Sequence, residues 1–158
     1  MGIFRRLFSG SSVPHEPVKP QRLDYLNEAL ALERQGDFDA AIISYRLALR
    51  DHPNDPRILQ NLAIAFSRTG KAEDAIRHYR RALEVDATLA GAHYGLGFLL
   101  LRKGEPASAT KHLRTFLDVQ PRSSDTQRWV EHAEAALREL ETQSAPPSPQ
   151  AAAGSEGA

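Results

Sequence analysis

Cysteine is missing from all 158 residues, which excludes disulfides, thiolate metal ligands and thiol nucleophiles together. Long apolar runs are missing as well. No stretch reaches the roughly eighteen residues that a membrane-spanning helix requires. The opening MGIFRRLFSG is short of the apolar core, about 7–15 residues, that a secretory signal needs, so the expected compartment is the cytoplasm. An excess of one charge is the third absence. Lys+Arg and Asp+Glu stand at twenty each, leaving no global field to draw nucleic acid or an acidic substrate. The basic run RHYRR at 77–81 contains an aromatic, but Tyr79 falls in a core column and is not free to stack, so no nucleic-acid partner is expected. The six histidines are scattered without H-x3-H spacing. His78 and His112, in equivalent places of neighbouring units, stand too far apart to share an ion, and no metal is expected. No nucleophile, base and orienting group can be assembled from the sequence either, so neither an enzyme nor a cofactor is expected.

What the chain has is repetition. GDFDAAIISYRLAL at 36–49 returns as GKAEDAIRHYRRAL at 70–83, with seven of fourteen columns identical, and a weaker copy, GEPASATKHLRTFL, starts at Gly104. A fixed interval of thirty-four residues marks a stacked architecture in which each unit is buried by the next.

Three zones separate by composition. Residues 1–21 hold a short apolar-basic start and the proline-rich SGSSVPHEPVKPQ; residues 22–142 carry helical periodicity; residues 143–158 include the Pro/Ala/Ser/Gly stretch SAPPSPQAAAGSEGA, which cannot bury enough surface to fold. Within the middle zone Gly36, Gly70 and Gly104 each end one helix before another begins. Helix pairs are predicted near 22–35/38–50, 56–69/72–85 and 90–103/106–118, giving units 22–55, 56–89 and 90–123. A last helix, about 124–141 within a capping segment 124–142, opens on a candidate capping box, Ser124 and Gln127. Small residues recur where paired helices would cross: Ala29, Ala63 and Gly97 on first helices, Ala41, Ala75 and Ala109 on second ones. Bulky columns surround them, including Leu32/Phe66/Leu100 and Tyr45/Tyr79/Leu113.

These columns resemble tetratricopeptide repeats: Leu59-x2-Leu62-Ala63-x2-Phe66 then Ala75-x3-Tyr79 in unit two, and Leu96-Gly97-x2-Leu100 then Ala109-x3-Leu113 with Pro121 in unit three. Three places depart from the pattern: Glu28 beside Ala29, Ala87 for a closing proline, and Phe116 for a small residue. Phe116 is expected to fill space against the last helix. The resemblance implies an all-α, right-handed α-solenoid of antiparallel helix pairs, three repeats and a cap. It also implies a scaffold or adaptor without chemistry of its own, whose first helices line a concave groove for a segment of another protein.

Carried onto this chain, the groove columns are Leu26/Gln60/Tyr94, Asn27/Asn61/Gly95, Leu30/Ile64/Phe98 and Arg34/Arg68/Arg102. The apolar column Leu30/Ile64/Phe98, with Leu26 and Tyr94, offers a strip that a partner would cover. The three arginines have two readings: a rim for carboxylates, or simple complements to helix C-termini. Asn61 is placed to pair with a partner's backbone. Of the positions with which some members grip a chaperone's C-terminal carboxylate, here Leu26, Leu30, Asn61, Gly91 and Gly95, only Asn61 fits, so that ligand is not expected. Gly95 would leave a hollow beside Tyr94 and Phe98, or be merely tolerated. Trp129 is expected to anchor the cap in the core, the alternative being a self-association surface if that helix is displaced.

The first residues allow a second role. In a helix Ile3, Phe4, Leu7 and Phe8 gather opposite Arg5 and Arg6, like a short interfacial anchor. Burial worth about 1.5–3 kcal/mol per apolar side chain is offset by about 1–2 kcal/mol per ordered residue, so weak contact with a membrane surface is the expectation. The alternatives are packing into the chain's own groove and an unstructured start. Myristoylation at Gly2 is disfavoured by Arg6, where serine or threonine is wanted.

Overall fold

The computed structural model describes residues 24–120 and 123–144. Among the described residues seven helices follow one another: α1 (Tyr25–Gln35), α2 (Phe38–Asp51), α3 (Pro56–Arg68), α4 (Ala72–Val85), α5 (Ala90–Lys103), α6 (Pro106–Val119) and α7 (Gln127–Ser144). Their starts are made locally. Asp24, Asp37 and Asp55 accept hydrogen bonds from the otherwise orphaned amides of Asn27, Ala40 and Ile58 at 3.1 Å each. Pro56 and Pro106 take first-turn positions, where no amide hydrogen is needed.

The ends recur with the sequence period. Gly36, Gly70 and Gly104 have φ of +81°, +77° and +80°, a left-handed conformation that glycine alone adopts without steric cost. The turn this makes lets the next amide reach five residues back: Asp37 to Leu32 at 3.0 Å, Lys71 to Phe66 at 2.9 Å, Glu105 to Leu100 at 2.9 Å. Each glycine thus folds the second helix of a pair back on the first. Its bond ends on a bulky residue that packs in the pair.

Small residues set how closely the pairs cross. Ala29, Ala63, Ala41, Ala75 and Ala109 are fully buried, and a Cβ on Gly97 would lie 2.8 Å from the Leu113 side chain. One apolar core runs from α1 to α6, with Tyr45, Leu62, Phe66, Ile76 and Leu96 at its centre. A second joins the end of the solenoid to the cap: Leu113 and Phe116 pack with Val130, Ala133 and Leu137 of α7. Phe116, the departure from the repeat pattern, fills space against the last helix as expected. The architecture of the described residues is an all-α helical-repeat solenoid closed by α7.

The last helix corrects one expectation. It begins at Gln127, not 124, and the Ser124/Gln127 box does not form. The Ser123 amide bonds the Thr126 hydroxyl at 3.1 Å and the Val130 amide bonds the Thr126 carbonyl, so residues 123–126 close a turn ahead of the helix. Gln127 reaches forward to Glu131 at 2.9 Å instead.

Candidate functional site

The inner face is built by α1, α3 and α5, whose exposed sides carry the expected groove columns. Leu30, Gln60, Asn61, Ile64, Tyr94 and Phe98 are half-buried there, while Arg34, Arg68 and Arg102 stand exposed along its edge. The groove divides into two chambers. The smaller, about 440 Å³, is lined by Leu30, Glu33, Arg34, Phe38, Asn61, Ile64 and Arg68. The larger, about 680 Å³, lies between α3, α5 and α7. Ile64 and Arg68 belong to both. Leu26 and Asn27 line neither: Leu26 leans on the core, and the Asn27 amide is held at the helix start by Asp24, Nδ2 to Oδ2 2.6 Å. Residues Ile3 to Phe8 lie outside the described residues.

The larger chamber is an aromatic enclosure that first-helix columns alone do not make. Tyr94 is its hub. Its ring meets Phe98 at 4.7 Å, Phe116 edge-on at 5.1 Å and Trp129 edge-on at 5.2 Å between centroids. The edge-on pairs have the geometry that ring quadrupoles favour. His132 stacks flat on Phe98 at 4.3 Å, and its Nδ1 is 2.6 Å from the Tyr94 hydroxyl. Burial raises the Tyr94 pKa, so this hydroxyl keeps its proton. Trp129 and His132, three residues apart on α7, therefore close the end of the groove. The expectation that Trp129 anchors the cap is corrected: the indole is 41% exposed under Arg128, while Val130, Ala133 and Leu137, at the spacing of one helical stripe, do the anchoring.

Gly95 lines the larger chamber beside Tyr94 and Phe98, as expected, and it also makes room for the tip of Tyr79, which a Cβ there would overlap. Tyr79 crosses from α4 to the chamber wall between α3 and α5, 4% exposed, and burial drives its pKa upward, with a smaller push from Glu33. Gly91, one turn earlier, does the same for Gln60, whose Oε1 would stand 2.9 Å from an added Cβ. That oxygen is buried and has no hydrogen-bond partner among the described residues.

Charge around the enclosure has one sign. Its lining includes Arg68 and Arg102 and no carboxylate, and neither arginine makes an ion pair among the described residues. Arg68 rests 4.9 Å over the Phe38 ring. The acid sits in the smaller chamber, where Glu33 accepts from the Tyr45 hydroxyl at 2.5 Å. Burial first, and Glu33 second, hold that phenol well above its usual range.

Sequence reasoning missed Trp129, His132, Tyr79 and Phe116 as lining residues. The signal for the first two was their three-residue spacing off the Val130–Leu137 stripe; for Tyr79 it was Gly95 opposite. It also missed that His93 and His112 bond through Nδ1 atoms at 3.0 Å. His93 Nε2 donates to the Ala87 carbonyl at 3.0 Å, which makes its Nδ1 the acceptor and His112 the donor. No group of three or more metal-ligating side chains exists among the described residues, and no described helix is long and apolar enough to cross a membrane.

Two family models match the chain, one described as tetratricopeptide repeat over residues 24–65 and one as TPR repeat over residues 67–104. No curated protein sequence matches it. Solved structures do. The Yersinia enterocolitica type III secretion chaperone SycD, in complex with a peptide of the translocator YopD, superposes with a TM-score of 0.71 at 17% identity, over 75% of this chain and 91% of that one. The Sgt2 TPR domain from Aspergillus fumigatus gives 0.64 at 25% identity, over 84% and 91%. The TPR2B domain of yeast Sti1, solved as a pHsp70 complex, gives 0.66 at 18% identity, over 75% and 94%.

Proposed function

Because the chain belongs to the tetratricopeptide repeat family, we propose that it is a non-enzymatic adaptor that holds a segment of another protein in its concave groove. The observation that carries this reading is the larger chamber. A cavity of about 680 Å³ walled by five aromatic residues, Tyr79, Tyr94, Phe98, Phe116 and Trp129, and open on the inner face is costly to leave to water. A bulky side chain entering it would gain about 1.5–3 kcal/mol from burial. Likeness of fold to SycD and to the Sti1 domain lends support, since the first was solved with a bound peptide and the second as a complex with pHsp70. Those ligands are their own.

In this role Ile64 joins the two chambers, so an occupant running along the groove passes over it. Asn61 is half-buried in the lining of the smaller chamber, and its amide can both donate to and accept from a partner's backbone. Arg34, Arg68 and Arg102 select carboxylates at the edge and steer encounter.

The test is crosslinking followed by mass spectrometry on wild type and on Ile64→Glu/Phe98→Glu, after circular dichroism has shown that the variant folds. Proteins that vanish from the variant's crosslinks are the groove's partners. An unchanged set removes the groove from the function.

A further inference from the structure

Within the larger chamber one polar group is orphaned: the Gln60 Oε1 is buried with no hydrogen-bond partner among the described residues. The Tyr79 side chain lines the same chamber and brings a hydroxyl to it. An orphaned polar group at a buried site costs free energy until something pairs with it. Gln60 is an acceptor and the Tyr79 hydroxyl a donor, and the two rest against Gly91 and Gly95, successive turns of one face of α5. That spacing is about 6.0 Å along the helix. It is close to the roughly 6.8 Å between same-side backbone groups of an extended chain. Rotation of the terminal Gln60 torsion, which is broad and two-fold, turns its amide toward the open groove.

Beside this pair stands the aromatic enclosure, and above it Arg68 and Arg102 with no carboxylate among the lining residues. The chain's own first segment is a poor match to that field, since Arg5 and Arg6 lie between its apolar residues. Charge complementarity selects the opposite pattern.

We infer that the chamber binds an extended, internal segment of a partner protein. One bulky apolar side chain of that segment seats among Tyr94, Phe98 and Trp129, an Asp or Glu lies within about two residues of it to meet Arg68 and Arg102, and the intervening main chain is held by Gln60 and the Tyr79 hydroxyl. This rests on the adaptor reading and adds what the groove selects.

The experiment is selection of a displayed library of random twelve-residue peptides on the full chain, followed by affinity measurement on synthetic copies of the enriched sequences. Expected is enrichment of a bulky apolar residue with an acidic one close by. Tyr79→Phe and Gln60→Ala would each weaken binding about 3- to 10-fold, the range of one hydrogen bond. Arg68→Glu/Arg102→Glu would reverse the preference from acidic to basic neighbours. N-methylation of one peptide bond beside the apolar residue would weaken binding to wild type and add nothing in Gln60→Ala. Enriched peptides that need the groove, lost in folded Ile64→Glu/Phe98→Glu, yet carry no acidic residue or tolerate every N-methylation would overturn this inference and leave the adaptor reading standing. Peptides that bind that variant as well as wild type, or no enrichment at all, would sink both. Binders that emerge only after residues 1–21 are removed would assign the chamber to the chain's own first segment and overturn the proposal.

Discussion

Alanine at Gly36 and alanine at Gly95 fail for different reasons. At Gly36 a Cβ would have nothing within 4 Å, so the cost is the left-handed backbone alone, φ +81°. That is about 1–2 kcal/mol, partly offset by about 0.4–1 kcal/mol of reduced freedom in the unfolded chain. Gly36→Ala should therefore lower the urea midpoint modestly. At Gly95 alanine removes a helix penalty of about 0.8–1.0 kcal/mol, but its Cβ overlaps the buried Tyr79 ring, a conflict worth about 1–3 kcal/mol. The overlap wins: Gly95→Ala should destabilise, and the truncated pair Gly95→Ala/Tyr79→Leu should recover part of the loss in the same urea titration.

Histidine makes the second residue-scale prediction. His112 is held below its ordinary pKa by burial first, then by His93, Arg80 and Lys111. His78 is lowered by burial first and further by Arg77 and Arg46, against an opposing backbone bond to Asp74. Both are depressed in the fold, so on acidification the unfolded chain takes up protons first. Their contribution is whole above the unfolded value of about 6.5 and is lost as pH falls below it. Urea midpoints at pH 7.5 and 5.5 should show the drop, and His112→Gln should flatten it.

At the scale of elements, α7 is held by one stripe and works with another. Ala133 is fully buried against Leu113 and Phe116, whereas Ala135 is exposed. Ala133→Leu should cost about 1–3 kcal/mol by overpacking, and Ala135→Leu should be close to neutral; paired thermal melts decide it. The same helix marks how far the sequence could be read. The glycine and alanine columns repeat at thirty-four residues because each answers the same local demand, a left-handed turn or a close crossing, and so the helix pairs and their limits were legible. Residues Trp129, His132 and the His93–His112 pair meet only across helices, at separations no repeat column encodes. Asn27 looked like a groove residue by column, but Asp24, the N-cap of its own helix, claims its side-chain amide. Columns show which face a residue shares; they do not show what a neighbour has already taken.

At the scale of the molecule, the described helices pack mainly on the next in the chain, so stability is approximately a sum of local and interface terms. The cross-unit ion pairs Lys71–Asp39 and Lys103–Glu73, at 3.1 Å each, are exposed and contribute little. Apolar contact carries the stack. Leu62→Ala, at the middle of the main core, should cost about 2–5 kcal/mol and lower the whole transition in a calorimetric scan. Leu137→Ala, at the cap, should loosen the α5–α7 chamber first and leave the first two pairs folded at temperatures where the cap has melted.

Trp129 is the chain's single tryptophan, and it stands at the chamber mouth against Tyr94 and Arg128. The protein thus carries its own optical reporter at the place where an occupant would enter. Loss of water around the indole should shift its emission to the blue, so a plain fluorescence titration reads occupancy without a label. In unfolding, the same signal speaks for the cap alone while far-ultraviolet dichroism averages over all the described helices. Any gap between the two curves measures how independently the last unit melts.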